Sequence, residues 1–101
     1  MSAKIECGEN EIVVFLDGEI DHHSASIIRM TVDNTVLNRR PKMLTLDFEK
    51  VTFMDSSGIG LIIGRYKLMK ECGGQLEIRG PQPYIRRVLK LSGIERIVKI
   101  V

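Results

Sequence analysis

The 101-residue sequence has no tryptophan, and Phe and Tyr together make up only 5% of it. The core must therefore be aliphatic, and few rings remain to build the stacking platforms that hold single-stranded nucleic acids. There are two cysteines, Cys7 and Cys72, far apart and in no CxxC pair. No apolar segment follows Met1-Ser2-Ala3-Lys4 as a secretory leader would, so a cytosolic, reducing compartment with free thiols is expected. No run of apolar residues approaches the ~18 of a membrane-spanning helix. The net charge is only +2, less than a nucleic-acid surface calls for. No repeat, low-complexity tract or linker divides the chain, and its length suits one domain over residues 1–101.

What is present is a hydrophobic fraction of 44%, enough for an ordered core. Charge is unevenly spread: residues 1–21 carry six acids and one lysine, while residues 51–101 carry nine Lys or Arg and four acids. The basic groups Arg86-Arg87-Lys90 and Arg96-Lys99 read as solvated faces of a helix and an edge strand. The apolar run Ile12 to Leu16 reads as a buried strand, preceded by a short strand from Lys4 to Cys7 and a turn at Gly8-Glu9-Asn10. From His22 to Asn38, Ala25, Ile28, Val32 and Val36 recur at helical spacing, with Asp21 or Ser24 as cap. Pro41 forbids continuation. Met43 to Phe48 is a second central strand, with Val51 to Met54 extending or following it. A helix from Ser57 to Glu71 is stopped by Gly73-Gly74. A strand from Gln75 to Arg79 follows, then a helix from Pro81 to Leu91 with Ile85, Val88 and Leu89 inward, and a last short strand or extended tail from Arg96 to Val101. The order β-β-α-β-α-β-α-β predicts an α/β fold: a mixed sheet with an N-terminal hairpin and βαβ units covered by helices.

Ligands of open α/β sheets collect at the carboxyl ends of strands. Two segments leave such ends and enter helices: Asp17 to His23, and Met54-Asp55-Ser56-Ser57-Gly58. If their strands are parallel, both open on one edge, and Asp21 shares a neighbourhood with the serines. Plain capping by Asp55 or Ser56 would explain the second segment at ~1 kcal/mol. It would not explain Gly58, Gly60 and Gly64, each of which costs roughly 0.5–1 kcal/mol in a helix. With Ile59, Ile62, Ile63, Tyr66 and Met69 inward, Ser57, Leu61, Gly64 and Leu68 fall on an outer face where charge is usual. A bare, apolar outer face beside Ser57 predicts a protein interface.

Other chemistries fit less well. A serine hydrolase would need G-x-S-x-G, and Asp55 occupies the place of its first glycine; His22 and His23 offer a base, but the oxyanion loop is missing. Gly58-Ile59-Gly60 after a strand resembles the start of G-x-G-x-x-G, with Gly64 one residue late and Glu77 placed like a ribose acid. A small nucleotide- or anion-binding module is therefore the alternative, although the acids near Asp21 would repel phosphates. His22 and His23 point about 100° apart on a helix and seldom share a metal. The remaining possibility is a phosphorylation switch. A phosphate at this helix start is tolerated by free N–H groups and the dipole, yet it spoils an apolar contact surface. These considerations do not separate Ser57 from Ser56.

GEIDHHSA (Gly18 to Ala25), FMDSSGIGLIIGRYK (Phe53 to Lys67) and LSGIERIVKI near the end together resemble the STAS-domain anti-sigma factor antagonists over nearly the whole chain. The resemblance implies a STAS fold and binding, without catalysis or cofactor, to an anti-sigma factor that is also a serine kinase. It implies that the unphosphorylated form binds and releases a sigma factor for transcription, that ATP-dependent phosphorylation ends binding, and that a serine phosphatase restores it. By similarity the acceptor is the second serine of D-S-S-G, Ser57, and the Asp21 segment forms the other side of the site. The contact residues expected on these grounds are Asp21, His22 and His23 on one side. On the other they are Asp55, Ser56, Ser57, Gly58, Gly60, Leu61, Gly64 and Arg65. No nucleic acid, membrane or metal is expected. A weak direct nucleotide contact, or a STAS regulator tied to a stressosome or transporter, are the alternatives.

Overall fold

Asn10 adopts a left-handed conformation (φ 64°), and the tight turn it makes folds strand β1 (Ser2–Cys7) back on β2 (Glu11–Ile20) in antiparallel register. The computed structural model describes residues 1–101. Helix α1 (His22–Arg39) leads to β3 (Met43–Met54), α2 (Ser56–Glu71) to β4 (Gln75–Arg79), and α3 (Pro83–Ser92) with a short 3-10 turn (Ile94–Arg96) to β5 (Lys99–Ile100). The sheet order is β1-β2-β3-β4-β5, with every pair after the first parallel. Three crossovers stepping the same way, each right-handed, place all three helices on one face of the sheet.

A single cluster of 22 buried apolar side chains joins that face to the helices, from Ile12, Leu44 and Leu76 in the strands to Val32, Ile62 and Ile85 above them. Each such aliphatic side chain contributes about 1.5–3 kcal/mol on burial. The opposite sheet face is polar and self-paired. Arg79 contacts Asp47 at 3.0 Å and sits 5.7 Å over the Phe15 ring, while Thr45 donates to Glu77. Glu77 therefore lies mid-strand, on the face away from α2 and not at a carboxyl edge, so it is not placed like a ribose acid. The Arg86, Arg87, Lys90, Arg96 and Lys99 side chains are all exposed, as expected. Both cysteines are free, Cys7 exposed and Cys72 half-buried.

Several boundaries differ from the expectation. Strand β2 runs on through Ile20, because bulges at its pairing with β3 carry the ladder past Asp17 and Gly18. The expected loop from Asp17 to His23 thus shrinks to Asp21 alone. Helix α3 starts at Pro83 and not Pro81, and the expected tail from Arg96 is partly the 3-10 turn.

The larger correction concerns α2. Leu61 is buried (4% exposed) and Leu68 half-buried, not on an outer face. Gly58 and Arg65, both expected contact residues, are also buried. The reason is a neighbour that periodicity does not reveal. Helix α1 packs alongside α2, so the buried arc of α2 extends beyond its sheet-facing stripe, and what one helix alone presents as outside becomes the wall of a cleft.

Candidate functional site

Ile20 pairs with Met54 across the parallel β2–β3 ladder, and each strand ends there. One residue later each chain enters a helix through an aspartate, and the Asp55 amide donates to the Ile20 carbonyl at 3.2 Å. Two helix N-termini therefore sit side by side at one sheet edge, as the parallel arrangement required. Asp21 accepts from the Ser24 amide at 2.9 Å, and the Ser24 hydroxyl accepts from the Asp21 amide at 2.9 Å, completing a capping box. The backbone N–H of Ser24, then its hydroxyl, hold the Asp21 carboxyl below its ordinary pKa. Asp55 caps α2 by accepting from the Ser57 amide at 2.8 Å. The Ser57 hydroxyl itself makes no hydrogen bond within the chain.

Between the two helices lies an open cleft of about 380 Å³, which Ser57 lines with His22 and Arg29 from α1 and Gly60, Gly64 and Arg65 from α2. The three glycines of α2 divide sharply. A Cβ on Gly58 would stand 2.1 Å from Met54 Cγ and 2.4 Å from its Sδ, so this glycine is required by packing. A Cβ on Gly60 or Gly64 would meet nothing within 4 Å. The helix-propensity cost of these two glycines, roughly 1–2 kcal/mol together, is not offset by any contact within the chain.

One lining residue, Arg65, is held in an ion pair. Arg65, 5% exposed, places Nε 2.7 Å from Asp33 Oδ1 and donates through Nη2 to Asp33 Oδ2 at 3.2 Å, with Nη1 donating to the Leu61 carbonyl. The shorter approach is an ion contact whose N–H points off the line, so only the Nη2 contact is a hydrogen bond. Burial pulls the Arg65 pKa down, the Asp33 charge raises it, and the like charge of Arg29 lowers it again. Arg29 has no ion-pair partner.

The structure thus brings His22, Ser57, Gly60, Leu61, Gly64 and Arg65 around one cleft, with Asp21 and Asp55 capping its two walls. Ser56 is exposed but lies outside the cleft. His23 turns away from His22 into a separate hollow with Met1, Ala3 and Ile27, so the two imidazoles do not converge. Arg29 and Asp33 were not expected at the site. Their i, i+4 spacing on the face of α1 that carries His22 was a usable signal, but only once α1 and α2 were known to be neighbours. Phe53, 40% exposed just before Asp55, is a further apolar neighbour of the helix start.

Residues 2–101 match the model of the STAS domain family. An anti-sigma F factor antagonist of Paenibacillus polymyxa is 35% identical over 100 residues, covering 99% of this chain and 86% of the relative. The anti-sigma-B factor antagonist of Bacillus subtilis (strain 168) is 29% identical, with 99% and 90% covered. Among solved structures, the anti-sigma factor antagonist SpoIIAA in its unphosphorylated form superposes with a TM-score of 0.87 at 29% identity, covering 99% of this chain and 88% of that one. The phosphorylated form of the Bacillus protein SpoIIAA gives 0.78 at the same identity, over 99% and 91%.

Proposed function

This chain belongs to the STAS-domain family and is an anti-sigma factor antagonist, a binding protein and not an enzyme, and we propose that phosphorylation of Ser57 switches its binding off. The unphosphorylated chain engages an anti-sigma factor that is also a serine kinase, and the sigma factor is released. The kinase transfers the γ-phosphoryl group of ATP: an Oγ–P bond forms, the bond to the β-phosphate bridging oxygen breaks, ADP leaves, and the serine proton passes to a base of the kinase. A serine phosphatase reverses the modification. By similarity to SpoIIAA, the compartment is the cytoplasm and the programme sporulation.

The observation that carries this reading is the bare rim at Gly60 and Gly64, which no contact within the chain requires and which leaves space for a second protein beside an unengaged hydroxyl. Ser57 lines the cleft and Ser56 does not, which favours Ser57 as the acceptor. Asp21 and His22 present the α1 side to the partner, with His23 at its margin because it faces the neighbouring hollow, and Asp55, Ser56 and Ser57 the α2 side. Gly58, Leu61 and Arg65 set the shape of that surface from beneath. The nucleotide alternative is weakened because Gly58, the first glycine of its loop, is packed on Met54.

Incubation with the anti-sigma kinase and ATP, followed by peptide mass spectrometry, is expected to place one phosphate on Ser57. Ser57→Asp is expected to lose anti-sigma binding with its circular dichroism spectrum unchanged, and Ser57→Ala to bind constitutively and resist the kinase. Equal binding by wild type and Ser57→Asp would sink the proposal. Calorimetric micromolar binding of ATP or GTP without a partner would favour the nucleotide module.

A further inference from the structure

The charges around the cleft do not cancel. Arg65 is neutralised by Asp33 in a bidentate contact, but Arg29 lines the same space without any ion-pair partner. Arg29 and Arg65 line the same cleft, and the like charge of Arg29 lowers the Arg65 pKa. The cleft therefore holds one guanidinium with no ion-pair partner, between walls capped by Asp21 and Asp55, and its far wall is bare at Gly60 and Gly64. An unpaired guanidinium in the recess that also holds an unengaged serine hydroxyl is suited to an anion attached to that serine.

Resting on the assignment of Ser57 as phosphoacceptor, we propose that the cleft receives the phosphoryl group of the modified Ser57, with Arg29 as its counter-cation, so that the phosphorylated chain fills its own docking groove. The two helices start level, because Ile20 pairs with Met54 and one capping residue follows each. Ser57 is the second residue of α2 and Arg29 the eighth of α1, an offset of about 9 Å along the axes. Both residues line the cleft, and helix side chains lean toward their N-terminus, the direction in which Ser57 is offset from Arg29. A guanidinium offers that phosphate a paired set of donors. Asp21 and Asp55 at the two caps oppose the added charge, and His22 and the Asp33-paired Arg65 share the cleft; Arg29 is the guanidinium there left free to answer it. The off state then combines repulsion of the partner with occupation of the space the partner needs.

The test uses the full chain with phosphoserine installed at position 57 during translation, so it does not depend on which kinase modifies the protein. The ³¹P shift is followed across the second phosphate ionisation in wild type and in Arg29→Gln. Free of neighbours this ionisation lies near pH 6. Removing the Arg29 charge is expected to raise its midpoint by about half a unit, roughly threefold in proton affinity. Arg29→Lys should recover part of the shift, and 1 M salt should shrink the difference. Identical midpoints in wild type and Arg29→Gln, both folded by circular dichroism, would overturn the proposal. In a second arm, unmodified protein is titrated with inorganic phosphate while the Gly60 and Gly64 amides are followed. Saturation at low millimolar phosphate would assign the cleft to a diffusible anion and also overturn it; no saturable shift is the expected result. A chain that the kinase modifies elsewhere would fail the assignment of Ser57 and leave the ³¹P comparison intact, so the two failures are distinguishable.

Discussion

The two helix starts at this sheet edge are near copies in position and opposites in chemistry. Each follows a parallel strand, each is capped by an aspartate, and each has a serine within its first turn. At α1 the serine is at the third position, 8% exposed, its hydroxyl bonded to the Asp21 amide and donating to the Glu19 carbonyl at 3.1 Å. At α2 the third position is Gly58, and the serine at the second position is left with a free hydroxyl on the rim of a cleft. A closed capping box fixes a helix; an open start leaves a hydroxyl accessible. The glycine decides between them, because Met54 already fills the space that a side chain at position 58 would need.

The comparison is broken most violently by Gly58→Ser, which would give α2 the same third residue as α1. The new hydroxyl could cap, but its Cβ would collide with the buried Met54 side chain. A net destabilisation of about 1–2 kcal/mol is expected, overpacking of about 2–3 kcal/mol outweighing a cap worth ~1 kcal/mol. Chemical denaturation measures it, and a stabilised variant would mean that Met54 moves aside and that packing is not what keeps α2 open.

Ser24→Ala and Ser57→Ala separate the two serines. The first removes the hydroxyl half of the capping box and the bond to the Glu19 carbonyl, while the amide of residue 24 still donates to Asp21, and it is expected to cost about 1 kcal/mol. The second removes a hydroxyl with no partner and should leave stability within about 0.5 kcal/mol of wild type, while abolishing phosphorylation. Equal losses of stability would mean that the Ser57 hydroxyl is engaged in solution.

Gly60→Ala tests the bare wall. With open space at its Cβ position, it is expected to stabilise the chain by roughly 0.5–1 kcal/mol through helix propensity while weakening anti-sigma binding. A stabilised variant that binds as well as wild type would remove the argument that the glycine serves a partner.

Why these positions could be read only in part from the sequence is a matter of range. The buried stripe of α1, Ala25, Ile28, Val32 and Val36, follows from local period and appears as expected. The meeting of Asp21 with the serine segment follows from one topological step, since parallel strands put both helix starts on one edge. The burial of Leu61 and Arg65 does not follow, because it depends on α1 lying against α2, a contact between residues 32 apart in the case of Arg65 and Asp33. The three glycines look alike in sequence, yet Gly58 serves Met54 and the other two serve no contact within the chain. Arg29 is illegible for the same reason: an exposed arginine on one helix becomes part of a site only through the helix beside it.

The smallest expected effect lies in the ionisation of the α1 cap. The Asp21 carboxyl titrates below its ordinary value because the Ser24 N–H and hydroxyl favour its charged form. A carboxylate with a depressed folded-state pKa stabilises the fold above its unfolded-state pKa, near 4, and that contribution is lost as pH falls through the lower folded value. Asparagine caps nearly as well but does not ionise. Asp21→Asn should therefore melt slightly below wild type from pH 5 upward, and the gap should narrow as pH falls from about 4 toward 2. Since Asp21 is fully exposed, solvent screening keeps the gap small, so paired melts at several pH values are needed to resolve it. A gap that stays constant to pH 2, or widens, would mean that the box is held by the serine hydroxyl and not by the carboxylate charge, and that the closed start of α1 differs from the open start of α2 through Ser24 alone.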